Sequence, residues 1–220
     1  MHMNGTNRGA GRGRQFILMA LIFTGGMLIL VAVALIAFSF QYPAEPVDAA
    51  SVALEDLQGG MGLSIADAVL LDQYASSGLG DHTEAYHCVV TFAVADGKRA
   101  VASLRVPTEG ALSEIMWAYM NDEAAGPGDC VVTLCATTTP LGAKLAEYLQ
   151  AYVGDAADEL ALGDAGDYGV ATVSLAMRGE TPWEYTESVL NERKNCRAGG
   201  AFCLLAGSAL LFAAFGKRGH

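Results

Sequence analysis

The residue types in this chain that could do chemistry are few and scattered. His82-Thr83-Glu84-Ala85-Tyr86-His87 places two imidazoles and a carboxylate within six residues, a ligand set that zinc accepts. In an extended segment His82 and His87 point to opposite faces, so only two of the three groups can converge; solvated loop and strand-edge residues are the expectation. Asp155, Asp158, Glu159, Asp164 and Asp167 form an acidic group of the kind that holds calcium. They lack the alternating spacing and central glycine of an EF-hand loop, and a solvated acidic loop is expected instead. No G-x-S-x-G, S-x-x-K, H-E-x-x-H or Walker pattern occurs. Only His82 and His87 offer imidazole bases in the middle of the chain, so a serine or cysteine hydrolase would have to be assembled from distant residues. The expectation is no catalytic residue, no metal site and no cofactor.

Cys88, Cys130 and Cys135 are three thiols in the same middle section, an odd number without paired spacing. Cys130 and Cys135 differ by five in a strand-like run, which puts them on opposite faces and out of bonding reach of each other. Small buried hydrophobes are the plain reading, and a bond from Cys88 to one of the other two the sharper one. Three reduced thiols on an outer face would imply either a cell living without oxygen or an inverted topology.

The elements that must carry these residues are set by two apolar runs. Phe16 to Phe40 is twenty-five residues without a charge, preceded by Arg8, Arg12 and Arg14. At ~1.5 Å rise per residue it is roughly 37 Å long, enough to cross a hydrocarbon core of about 30 Å with some tilt. It is too long for the apolar region of a cleaved leader and is read as an uncleaved anchor. Ala198 to Gly216 is a second uncharged run of nineteen residues, followed by Lys217 and Arg218. The spans carry no ionisable residue other than cysteine, so an ion path through them has no support. Gly199, Cys203 and Gly207 recur every four residues in the second span, a small-xxx-small face suited to close helix packing. Its partner would be the first span, where Ala20 and Thr24 are similarly spaced, another membrane protein, or a second copy of the chain.

All twenty-four acidic residues lie between Glu45 and Glu192, with only Lys98, Arg99, Arg105, Lys144 and Arg178 to offset them, a net of −19 for that interval. Such a section repels phosphate backbones, so no nucleic-acid partner is expected. The arginines before the first span keep the N-terminus in the cytosol, and two spans return the C-terminus there. Arg193, Lys194 and Arg197 work against this orientation, but three outside against five inside still favours it. The chain therefore divides into a cytosolic tail at 1–15, a transmembrane helix at 16–40, an extracytoplasmic domain at 41–197, a transmembrane helix at 198–216 and a short cytosolic tail at 217–220.

Within the domain, Asp48 caps a short helix to about Leu57, and a strand to about Asp67 bends into further extended chain. Tyr86, Cys88, Val90, Phe92 and Val94 share one face, as do Ala100, Ala102, Leu104 and Val106. A three-residue loop Ala95-Asp96-Gly97 aligns the two faces by pairing 92 with 100, 90 with 102 and 88 with 104, with Gly97 in the left-handed position. Thr108 opens a helix with Leu112, Ile115, Met116 and Tyr119 on one side. Cys130 to Thr137 is a strand, Thr139-Pro140 begins a second helix with Leu141, Leu145, Tyr148, Leu149 and Tyr152 as its buried stripe, and Tyr168 to Met177 is the last strand. Thr181-Pro182-Trp183-Glu184 is a capping box that starts a helix running into the second span unless Gly199-Gly200 bends it.

This order predicts an α+β fold with an antiparallel sheet and two or three helices, held between two transmembrane helices. The succession of strands and helix matches an OB-like five-stranded barrel by analogy of order, and a plain antiparallel sheet fits nearly as well. The layout resembles small bacterial envelope proteins with two spans around an outer domain, without shared motifs. The function expected is a non-enzymatic, membrane-anchored domain that binds a protein or envelope partner or helps assemble a membrane complex. The alternative is an extracytoplasmic hydrolase or metal-dependent enzyme.

Overall fold

A computed structural model of the protein describes residues 8–79, 81–122, 124–164 and 166–215. Residues 1–7 of the N-terminal tail and the C-terminal residues 216–220, with Lys217 and Arg218, lie outside the described residues. Two compact units are formed, one by residues 42–190 and one by the helical segments on either side of them.

In the helical unit, helix α1 spans Arg8–Phe38, and helix α4 spans Pro182–Phe215 as a whole, of which residues from 191 onward belong here. Both helices are long and apolar enough to cross a membrane. Phe16, Phe23, Phe202, Leu205 and Phe212 point outward and are largely exposed, the reverse of a helix pair built for water. The seam is made of small residues seven apart. Gly25 and Ala32 are buried on α1, with Ser39 just past its end, and Gly200, Gly207 and Ala214 on α4. A Cβ on Gly207 would stand 2.8 Å from the Gly25 carbonyl oxygen, and one on Gly25 3.0 Å from that of Gly207, so the backbones approach as only glycine allows. A period of 3.5 residues on both helices is that of a left-handed supercoil. At the Ser39 end, Arg197 Nε donates to Ser39 Oγ at 3.4 Å and its guanidinium lies 4.8 Å from the Phe40 ring centroid.

The other unit is α+β with a mixed six-stranded sheet. Its elements are β1 (Val47–Asp48), β2 (Gly62–Leu79), β3 (His82–Ala93), β4 (Arg99–Pro107), α2 (Ala111–Met120), β5 (Val131–Pro140), α3 (Ala143–Ala156) and β6 (Tyr168–Gly179), before α4 begins. Strand β2 is eighteen residues long and irregular. Its first half pairs with β5 and its second with β3. The pairings return to their start, β2 to β3 to β4 to β6 to β5 to β2, with β1 added in parallel beside β2.

This corrects the expectation of an antiparallel sheet, because β4 and β6 run parallel. The reason is parity: five strands in a closed ring cannot alternate direction all the way round, so one neighbouring pair must be parallel. The hairpin has the expected register, with Phe92 opposite Ala100, Val90 opposite Ala102 and Cys88 opposite Leu104. Val94 N donates to Lys98 O at 3.0 Å across the three-residue turn, and Gly97 has φ +71°.

The interior of the ring is filled by the inward faces of all five strands, with Leu63, Phe92, Leu104, Leu134 and Leu175 fully buried. Leu112 and Met116 of α2 pack into this core, while Ile115 is 42% exposed. Helix α2 starts at Ala111 after Gly110 at φ +116°, not at Thr108, whose carbonyl instead accepts from Ser113 Oγ at 3.1 Å. The expected helix start at Thr139-Pro140 is also displaced. Pro140 ends β5 opposite Val173, and α3 begins at Ala143. The short helix after Asp48 is two separate 3-10 turns, Ala49–Ser51 and Leu54–Asp56, the first capped by Asp48. The capping box forms: Glu184 N donates to Thr181 Oγ1 at 3.3 Å and Thr181 N to Glu184 Oε2 at 3.2 Å. Helix α4 then continues without a break through Gly199-Gly200.

Candidate functional site

Three places in the 42–190 unit gather side chains capable of recognition or chemistry. The first is the outer face of β2, β3 and β4. In a strand, alternate residues point outward, and here these are Leu71, Val89 and Val101 together with the polar His87 and Ser103. Helix α3 lies over them. Leu149 and Val153 pack on Leu71, Val89 and Val101 as a second apolar cluster, separate from the interior. Burial of each such side chain stabilises the roof by ~1.5–3 kcal/mol.

Beside that cluster is a polar group. Tyr74 Oη donates to Ser103 Oγ at 2.8 Å, His87 Nε2 and Ser77 Oγ are hydrogen-bonded at 3.0 Å, and Tyr152 Oη of α3 donates to Asp72. Tyr74 meets His87 edge-on, with ring centroids 6.3 Å apart. Burial and then the facing Arg105 guanidinium push the His87 imidazole below its usual value. Burial, followed by the hydrogen bond to Asp72, pushes the Tyr152 hydroxyl up.

The Ser77–His87 pair has the distance of a nucleophile and its base. A working pair also needs the base oriented by a third group, and His87 Nδ1 is buried without a hydrogen-bond partner among the described residues. Neither Ser77 nor His87 lines either of the two cavities considered below. The arrangement holds a neutral imidazole in place.

The second place is a cleft of about 620 Å³ between α2, the end of β4, the first half of β5 and the end of β6. Leu112, Ile115, Val131 and Met177 give it apolar walls, and Arg105, Arg178, Glu109 and Glu180 give it charge. Arg178 is the extra residue of a bulge, since Cys135 pairs with Gly179 and Ala136 with Met177. Bulges re-aim side chains, and Arg178 Nε here donates to Thr137 Oγ1 at 3.2 Å, with its guanidinium 5.7 Å from the Tyr42 ring centroid. The third place is a smaller cavity of about 240 Å³ near Arg99, Pro127 and Leu160. Arg99 reaches Asp67 at 3.8 Å there.

Comparison of the chain with protein-family models, with curated proteins and with solved structures returned no match.

The candidates from the sequence are placed as follows. His82 is exposed at the start of β3 and His87 is buried five residues on. Among the described residues no three His, Cys, Asp or Glu side chains come together to hold a metal ion, the acidic group from Asp155 to Asp167 included. Cys88 and Cys130 face the interior, whereas Cys135 faces Tyr185 and Val189 on the other side of the sheet. All three are free thiols. Cys88 Sγ lies 3.2 Å from Met116 Sδ, and burial pushes its thiol up to about 12, so it is no nucleophile at neutral pH. His87 and Cys88 are neighbours on opposite faces and do not meet. In the second span Gly207 packs on Gly25, Gly199 lies against Leu35 at ordinary distance, and Cys203 is half-buried; Gly200, one residue from Gly199, makes the closer approach to Ala32 and Ile36.

Sequence reasoning did not single out Arg105, Arg178 or the β5 edge. The first two are seventy-three positions apart and come to line one cleft only once β6 is laid beside β4.

Proposed function

We propose that this protein is a membrane-anchored, non-enzymatic domain of OB-like topology that binds a protein or envelope partner, or helps assemble a membrane complex, on the extracytoplasmic side. The ring of pairings, the parallel β4–β6 contact and the position of α2 between β4 and β5 support the OB-like reading.

One observation carries the functional reading. Barrels of this kind bind oligonucleotides and oligosaccharides on the face of their second and third strands, between the connections that flank it. Here that face is the outer side of β3 and β4, and α3, which lies in the β5–β6 connection, covers it with Leu149 and Val153. The net charge of −19 over residues 45–192 works against a nucleic-acid ligand as well. Protein surface is what remains available, at the cleft beside β5 and along the outward faces of the two apolar helices. The bilayer surrounds those helices, and a second copy or another membrane protein packs on α4.

The test is site-specific photo-crosslinking of the full chain in its native membrane, with the probe placed at exposed Ile115 or exposed Phe202. Discrete adducts with a protein support the reading, and smooth absence of adducts at both positions refutes it. Orientation is tested with Glu55→Cys: labelling by a membrane-impermeant maleimide in intact cells supports an outer face, and labelling only after lysis reverses it.

A further inference from the structure

Strand β5 pairs with β2 from Val131 onward, but on its other side it meets β6 only from Cys135. Among the described residues, Val131–Leu134 therefore carry an unpaired sheet edge four residues long, about 13 Å at ~3.3 Å per residue. Proteins usually blunt such edges with charge, proline or a covering element. Val-Val-Thr-Leu has neither charge nor proline, Val131 is 58% exposed, and the edge opens into the 620 Å³ cleft.

The cleft's charge is unusual for this unit. Two of the five basic residues between Glu45 and Glu192, Arg105 and Arg178, line it. Arg178 is engaged by Thr137 and Tyr42, whereas Arg105 is exposed and forms no ion pair among the described residues. A guanidinium beside apolar walls favours one planar carboxylate. Glu109 and Glu180 line the same cleft and disfavour a run of acids.

We propose that the Val131–Leu134 edge takes up an extended segment of a partner protein as an added strand, with one carboxylate of that segment on Arg105 and apolar residues on either side of it against Ile115 and Met177. Backbone hydrogen bonds supply the grip and alternate side chains the selection, as in other strand-addition complexes. The inference rests on the partner-binding reading above and gives it a site. A concave cleft receives an inserted strand, whereas two copies meeting edge to edge need a flat one.

The experiment is display selection of random octapeptides on the full chain in lipid nanodiscs, followed by fluorescence anisotropy of the enriched peptides. Expected are peptides with a single Asp or Glu among apolar residues, a dissociation constant weakened at least tenfold by Arg105→Glu, and a smaller loss with Arg105→Lys, which keeps the charge without the planar fork. N-methylation of alternate peptide amides tests the strand itself: one set of positions abolishes binding and the other leaves it. Because Arg105 is exposed, its variants keep the native melting temperature, which separates lost binding from lost folding. No enriched peptide, enriched peptides indifferent to Arg105, indifference to both N-methyl sets, or a dimer joined through β5 each overturns the proposal. If the selection fails while photo-crosslinking from Phe202 still yields a protein adduct, the site is wrong and the partner-binding reading stands. If both fail, both fall.

Discussion

Adding one methyl group at Gly62 tests how Tyr185, in the part of α4 that belongs to the 42–190 unit, packs on the sheet. A Cβ there would stand 2.1 Å from Tyr185 Oη and 2.6 Å from Tyr185 Cζ, both below any normal contact. The ring has no room to yield, being fully buried against Cys135, Val189 and Tyr42, with its hydroxyl donating to Pro43 O at 3.3 Å. Overpacking of this kind costs ~1–3 kcal/mol, and the displaced hydroxyl forfeits a further ~0.5–1.5 kcal/mol. Gly62→Ala is therefore expected to destabilise by about 1.5–4.5 kcal/mol. Tyr185→Phe offers little relief, since Cζ stays 2.6 Å away. Tyr185→Leu removes the obstacle: harmful alone, it makes the second change at Gly62 nearly harmless, with a coupling of at least ~1 kcal/mol in the double-mutant cycle. Gly142→Ala, where a Cβ meets nothing within 4 Å, serves as the control and changes stability by less than ~0.5 kcal/mol. The assay is denaturant unfolding of the full chain in micelles, followed by near-ultraviolet circular dichroism. Additivity of Gly62→Ala and Tyr185→Leu to within ~0.5 kcal/mol would refute the contact.

Leu149→Ala should cost ~2–5 kcal/mol by hollowing the roof over β2, β3 and β4; a loss below ~1 kcal/mol in the same unfolding assay means α3 is not seated there. His87 is held neutral, its folded value lying below the usual 6.5. The unfolded chain then binds a proton that the folded chain refuses, so stability present above about pH 6.5 is lost as the pH falls through and below that value. His87→Gln should flatten the decline between pH 7 and 5, and an unchanged slope sinks the assignment. Gly207→Leu should weaken the helix pair, since the added side chain meets the Gly25 carbonyl, whereas Gly26→Leu, facing open space, should leave it intact; equal behaviour of the two in a membrane helix-association reporter counts against the seam.

Local chemistry was legible in the sequence wherever partners are near in the chain. The β3–β4 register follows from alternation plus a three-residue turn, and the Thr181–Glu184 box from spacing alone. Pro140 misled because proline suits a helix start and a strand end equally; only the pairing with Val173 shows which it serves. Thr108 misled for a like reason, since Gly110 interrupts the chain before a helix can form. The parallel β4–β6 contact is a property of ring closure and has no local signature. The same holds for the cleft, whose defining feature is a partner that β5 does not have.

The helix pair, finally, keeps a strict count. Its seam repeats every seven residues on both sides, at 25, 32 and 39 and at 200, 207 and 214. One inserted residue turns everything beyond it by about 100°, which on the first segment replaces Gly25, Ala32 and Ser39 at the seam by Thr24, Val31 and Phe38. These two segments can therefore gain or lose length without losing the seam only in steps close to whole turns, such as seven or eleven residues, while the domain's surface turns are free to vary by single residues.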